Sequence, residues 1–239
     1  MDRLSISFIA LATLAGCATP LASIPPAGLS ASVTAPTARA GEQWRYVAHD
    51  GYTRLPRGEV TVVVTGAGSD AIRVTRTASG QTYEEQYTPA GGWLARQLTN
   101  LQPLRFQPAL SALPFPLQAG KTWHETVVAT DPATGLQYRV RVDGRVQGWE
   151  RVRVPAGEFD ALRVERYIYA GNAGSFRTEE RIHEIDWYAP QAGKVVKQAA
   201  SSEYTDLSKS CRAGLCTLVR NDYTVYELTD TRTEKPDGT

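Results

Sequence analysis

From Glu42 onward the apolar residues of this chain recur at every second position, and no window of 12 residues carries a helical apolar stripe. A period of two places successive side chains on opposite faces of an extended strand. Val60, Val62 and Val64 alternate with Thr61, Val63 and Thr65; Ile72 and Val74 alternate with Arg73 and Thr75. Tyr138, Val140 and Val142 alternate with Arg139, Arg141 and Asp143, and Val152 and Val154 with Arg151 and Arg153. Glycine-rich turns separate the runs, at Gly66–Asp70, Ser79-Gly80, Ala90-Gly91-Gly92 and Ala170–Gly174. This pattern predicts an all-β fold: an antiparallel sandwich, or a strongly bent sheet or partial barrel, of about ten strands.

Two short motifs occur twice. Ala40-Gly41-Glu42-Gln43-Trp44 matches Ala119-Gly120-Lys121-Thr122-Trp123. Glu85-Gln86-Tyr87-Thr88-Pro89-Ala90-Gly91 is echoed by Asp186-Trp187-Tyr188-Ala189-Pro190-Gln191-Ala192-Gly193. The spacing suggests two tandem β-meander halves, each opening on Gly-x-x-Trp and closing on a Tyr/Pro/Gly turn. Between them, Asn100–Gln118 combines four prolines with Leu101, Leu104, Phe106, Leu110, Leu113, Phe115 and Leu117. It reads as a crossover whose apolar side chains plug one end of the sheet, or as a lid over an apolar cavity.

The N-terminus is of a different kind. Arg3 precedes an apolar run from Leu4 to Ala15, which is too short to span a bilayer, and the run ends Leu14-Ala15-Gly16-Cys17. This arrangement resembles the signal peptide and lipobox of bacterial lipoproteins. The resemblance implies removal of residues 1–16 and lipidation of Cys17, so that the N-terminal lipid holds the protein to a membrane. Ala18, in place of the Asp that commonly retains such proteins at the inner membrane, implies the outer membrane, facing the periplasm. Residues 17–40 are rich in Ala, Pro, Ser and Thr, with Arg39 their only charge, and read as a flexible tether. Residues 41–230 read as the all-β domain and residues 231–239 as a disordered tail.

With Cys17 assigned to lipid, Cys211 and Cys216 remain. Their close spacing around Gly214 suits a small disulfide loop in an oxidising compartment. Two cysteines without a nearby histidine make a poor zinc site, and four intervening residues do not match a redox pair. The 26 basic and 25 acidic residues balance and form no basic block, which argues against a nucleic-acid partner.

Two further segments stand out. Val152-Arg153-Val154-Pro155-Ala156-Gly157-Glu158-Phe159 and Trp187-Tyr188-Ala189-Pro190-Gln191-Ala192-Gly193-Lys194-Val195-Val196-Lys197 are turn-centred. Together they resemble the V-x-V-P-A-G-x-F … W-Y-A-P-x-x-G-x-V-K signature of a group of bacterial periplasmic and lipoprotein β-domains. The resemblance covers residues 150–200. It implies an exported all-β protein and brings no catalytic residues with it.

Catalytic chemistry is hard to find. No Gly-x-Ser-x-Gly or phosphate-loop pattern occurs. In the run Glu179–Asp186, alternation places Glu179, Arg181 and His183 on one face and Glu180, Glu184 and Asp186 on the other, and the run reads as solvated rather than metal-binding. Arg139, Arg141 and Arg153 read as polar faces of neighbouring strands. The expectation is a non-enzymatic envelope protein with no catalytic, cofactor or metal residues, binding a lipid, a glycan or another envelope protein. Two alternatives stand beside it: a carrier of a lipid-like ligand in a β cavity, and a hydrolase whose site is assembled across strands.

Overall fold

The computed structural model of the chain describes residues 22–98, 103–171, 177–207 and 216–233. Cys17 and Cys211 lie outside the described residues. Twelve antiparallel strands are described: β1 (Glu42–Asp50), β2 (Pro56–Ala67), β3 (Ile72–Ala78), β4 (Gln81–Tyr87), β5 (Trp93–Gln97), β6 (Pro103–Leu110), β7 (Thr122–Thr130), β8 (Gln137–Val154), β9 (Gly157–Ala170), β10 (Glu180–Ala189), β11 (Lys194–Asp206) and β12 (Thr217–Thr233). Each pairs with its neighbours in the chain, and β1 pairs with β12, so the meander closes into a barrel.

The all-β expectation holds, and of its alternatives the barrel is met in coarse form: the sheet is a closed barrel rather than a sandwich, and twelve strands are described rather than about ten. The segment Asn100–Gln118 was expected to be a connection between two halves. In fact Pro103–Leu110 is a strand, with Leu104, Phe106 and Leu110 facing inward; among the described residues of the segment the loop begins beyond Leu110. Closure also explains why no edge strand needed protection.

The alternation is apolar inward and polar outward. Arg73, Glu84 and Arg181 lie on outer faces and are exposed, whereas Val62, Val64, Val74, Val142 and Ile168 are buried. A lipid-facing barrel shows the reverse order. Arg139, Arg141 and Arg153 fall on one strand, β8, rather than on neighbouring strands. They form no patch, because Arg141 pairs with Asp143 and lies over Tyr169 while Arg153 pairs with Glu158.

The repeated motifs mark real equivalences. Gly41 precedes β1 and Gly120 precedes β7, six strands on. Both take positive φ, 84° and 86°, which favours glycine. The Gly41 N–H donates to the Val64 carbonyl and the Gly120 N–H to the Val146 carbonyl, at 2.9 and 2.8 Å. A register shift follows each acceptor, between Val64 and Gly66 and between Val146 and Gly148. A second pair of shifts precedes Tyr87 in β4 and Tyr188 in β10, again six strands apart. These local features thus recur at matching places in β1–β6 and β7–β12. One difference lies at Gly144, where the Trp123 ring lies flat on β8: a Cβ there would fall 2.1 Å from a ring carbon.

Connections alternate between two ends. The end where β1 begins, here the mouth end, carries the short β4–β5 and β10–β11 turns and the Pro155-Ala156 turn between β8 and β9. The β8–β9 hairpin outreaches β10 and meets β12, where the Ala156 N–H donates to the Leu228 carbonyl at 2.9 Å. The described part of the segment expected to be a flexible tether, residues 22–40, is instead strapped across this end. Ala22 exchanges backbone hydrogen bonds with Trp149, and Val33 with Leu117. Val33 is buried beside Leu117, Val146 and Trp149, so apolar burial fixes a strap that composition alone would leave free. At the other boundary, β12 continues to Thr233, into the expected tail.

Candidate functional site

Side chains just fill an eight-stranded barrel; twelve strands enclose a wider lumen. Here the lumen is filled on one side only. Along β6–β9, large aliphatic and aromatic side chains such as Leu104, Phe106, Val140 and Ile168 pack together. Facing them, β2 and β3 contribute the smaller Val62, Val64, Ile72 and Val74 together with Arg76, and a cavity of about 240 Å3 remains. Its walls come from β1–β5 and β10–β12, and no residue of β6–β9 lines it. The rim lies at the mouth end, between the strap at Pro36–Ala38, the β10–β11 turn and the Ala112–Phe115 loop. The segment expected as a plug or lid therefore supplies part of the rim.

Aromatic residues give the cavity most of its apolar wall: Trp44, Tyr46, Tyr87, Trp93, Tyr188 and Tyr226. Tyr46 donates its hydroxyl hydrogen bond to the Val195 carbonyl at 2.7 Å, and burial pushes its pKa up. Burial pushes the Tyr188 hydroxyl up to about 12. Near the rim, Lys194 lies 4.5 Å over the Trp44 ring, and its burial lowers the ammonium pKa although Glu42 is near.

Deeper in, the lumen holds a layer of charge. Arg166 on β9 is 1% exposed. Its Nε donates to Glu184 Oε2 at 2.8 Å, its Nη1 to Asp186 Oδ2 at 2.7 Å, and its Nη2 also to Glu184. Gln198 Nε2 donates to the other Asp186 oxygen at 2.8 Å. Burial by itself would raise the Glu184 carboxyl, but the guanidiniums of Arg166 and Arg96 outweigh it and hold the pKa below the usual range. Arg96 stacks 4.2 Å from the Trp93 ring, whose surroundings also include Arg166 at 5.1 Å. Its Nε lies 3.7 Å from Glu85 and its Nη2 4.0 Å from Glu184, both beyond hydrogen-bond length. Glu85 accepts the hydroxyl of Tyr87.

The sequence separated the two faces of β10 correctly, but the run expected to be solvated is so only on its outer face; the inner face is buried. His183 faces outward, stacked on Tyr167 at 4.4 Å with Glu165 at 2.7 Å. Glu180, Glu184 and Asp186 face the lumen beside Ile182 and Tyr188. The missed signal was parity: these acids share alternate positions with Ile182 and Tyr188, as Arg166 does with Val164 and Ile168. Among the described residues no group of three or more potential ligands could hold a metal. Cys216 is disulfide-bonded, and its expected partner Cys211 lies outside the described residues.

No protein-family model matches the chain, and no curated protein matches it in sequence. In structure it is similar to a presumptive lipoprotein from Parabacteroides distasonis, with a TM-score of 0.46 and 12% identity over 85% of this chain and 100% of that one. It is also similar to an exported protein with a YmcC-like fold from Bacteroides fragilis, at 0.42 and 12% over 84% and 99%. A third is the hypothetical lipoprotein YmcC from Escherichia coli K12, at 0.43 and 10% over 81% and 86%.

Proposed function

We propose that this chain is a lipid-anchored protein of the bacterial envelope that binds an apolar or amphiphilic ligand in the lumen of its barrel. The observation that carries the reading is the aromatic-walled cavity of about 240 Å3 with its rim at the mouth end. That volume exceeds the ~150 Å3 at which an apolar protein cavity takes up benzene. Buried ligand sites are typically apolar with a few placed polar groups, which is the make-up of this wall.

The strap adds a direction. Ala22 is fixed at the mouth end, and Cys17 stands five residues before it, within ~17 Å of extended chain. A lipid on Cys17 therefore sets the rim against the membrane it anchors to, so that a ligand passes between bilayer and barrel over a short distance. The outer membrane, facing the periplasm, is the location this reading adopts from the lipobox and Ala18.

Catalysis is the less favoured reading because the lumenal carboxylates are engaged. Glu184 and Asp186 are bound by Arg166, and Glu85 by Tyr87, so these three deep carboxyls are held by partners; Glu42, the other carboxyl lining the cavity, stands alone near the rim with no second carboxyl described beside it. A protein partner is a second reading, favoured by one observation: at the far end Tyr52, Leu55, Leu207 and Leu218 are exposed on the adjacent β1–β2 and β11–β12 connections.

Native mass spectrometry of the full chain purified from its own envelope tests these readings. A co-purifying amphiphile that disappears in Val64→Trp, which fills the cavity, is the expected result. A ligand-free spectrum, or a bound mass unchanged in Val64→Trp, overturns the cavity reading; a stoichiometric protein in its place selects the far-end surface.

A further inference from the structure

The two halves treat one arginine differently. Gly66 pairs with Arg73 in the first half and Gly148 with Arg163 in the second, so the bulges align Arg73-Val74-Thr75-Arg76 with Arg163-Val164-Glu165-Arg166. Val74 faces Glu85, and Val164 faces Asp186. Arg166 faces Glu184, but its counterpart Arg76 faces Tyr83. The acid that completes the second site is absent from the first.

The consequence is a surplus of donors. Arg76 lines the cavity and lies 4.9 Å over the Tyr226 ring, yet makes no hydrogen bond or ion pair among the described residues. Arg96 lines the same cavity with only the two long ion pairs to Glu85 and Glu184. The acceptors nearby are already engaged: Glu85 by Tyr87, Asp186 by Arg166 and Gln198, and Glu184 by Arg166. A guanidinium offers five N–H donors and no acceptor. Two of them therefore present unused N–H groups to a cavity floored by charge and walled by aromatic rings.

We infer that the cavity recognises the anionic head of an amphiphile, a carboxylate or a phosphate, between Arg76 and Arg96, with the apolar chain directed along the aromatic wall toward the mouth. This rests on the cavity reading above and specifies its ligand. Planar forks of N–H donors match both oxyanions, and such charge-assisted hydrogen bonds are stronger than neutral ones. Glu85 and Asp186 also line the cavity, and Lys194 and Glu42 stand near its rim, so the head must seat on the guanidinium side rather than anywhere in the lumen. An uncharged head would leave the donors incompletely matched and gain less.

Isothermal titration of the purified full-length chain with octanoate, octyl phosphate and octanol tests the assignment. The anionic ligands are expected to bind about tenfold or more tightly than octanol, and the tighter of the two identifies the head. Arg76→Met and Arg96→Met should each remove that preference while octanol binding stays within about threefold of the parent, which shows that the barrel remains folded. Equal binding of all three ligands by the parent overturns the head-group inference and leaves the cavity reading standing. Binding of none overturns both. A preference for anions that survives in both arginine variants also overturns the assignment.

Discussion

Replacing Arg166 by Met removes the centre of the lumenal charge layer while keeping a side chain of similar reach. Four charge-assisted hydrogen bonds disappear, two to Glu184, one to Asp186 and one to the Ala112 carbonyl. Both carboxylates stay buried, at 5% and 3% exposure. Their remaining support is Arg96, at 4.0 Å from Glu184, and Gln198 on Asp186. Removing one partner of a buried ion pair typically costs about 3–5 kcal/mol, chiefly because the surviving charge is stranded. For a domain of this size that corresponds to a fall in melting temperature of about 6–20 °C.

The pH dependence separates this account from simple loss of packing. In the parent the Glu184 pKa is lowered, so its contribution is present above the ordinary carboxylate range near ~4.3 and is lost as pH falls through the lower folded value. In Arg166→Met, burial without compensation raises the folded pKa above that of the unfolded chain. The folded state then takes up protons first, and stability rises as pH is lowered from 7 toward 5. Chemical denaturation of both proteins across that range reads the two slopes. Adding Glu184→Gln and Asp186→Asn to Arg166→Met should recover most of the loss at pH 7. A loss below about 1 kcal/mol, the same pH slope in both proteins, or no recovery in the triple variant refutes the reasoning.

Gly144→Ala should destabilise the barrel by about 1–3 kcal/mol in urea denaturation, because the new Cβ meets the rigid Trp123 ring at 2.1 Å rather than a yielding side chain; an unchanged midpoint would show that the ring is free to lift. Cys17→Ser should abolish palmitate labelling and leave an uncleaved precursor, assayed by metabolic labelling and by mass; continued labelling removes the anchor from the account.

What the sequence disclosed and what it hid follow from one fact, that a β pattern reports faces but not closure. Period-two alternation placed Val62, Val64, Val140 and Val142 in the core, and the Pro155–Gly157 and Pro190–Gly193 turns stand where their chemistry predicted. The number of strands was short because proline signals loops: Pro103 and Pro108 masked β6, where only Arg105–Gln107 pair with β7 and the prolines fall outside that ladder. The strap was hidden because its hold is a few contacts, the backbone pairs at Ala22 and Val33 and one buried valine, within a segment whose composition reads as linker. The lumenal charges were hidden because an Arg or Glu within an alternating run is ordinarily assigned outward, and only the barrel's width lets such residues reach partners inside.

Stability alone gives no reason for that layer. The inward row that holds Arg76 also holds Ile72 and Val74, and the row that holds Arg166 also holds Val164 and Ile168, so the fold already places apolar residues in these positions. Well-packed apolar replacements of buried ion pairs are often neutral or stabilising, so a charge layer is weak support for a stability role. The repeat adds the sharper point. Had both halves kept the same arrangement, Arg76 would meet an acid as Arg166 meets Glu184. Instead Tyr83 stands in that position, and the cavity lies between β1–β5 and β10–β12, on the Arg76 side of the lumen and not against β6–β9. One copy of the arginine braces the barrel, while the other faces open space with its donors unused. With Arg166 bound by two acids and Arg76, at the aligned position, facing the cavity, the lumen has the asymmetry that a binding site requires, and it is at Arg76 and Arg96 that this asymmetry is greatest.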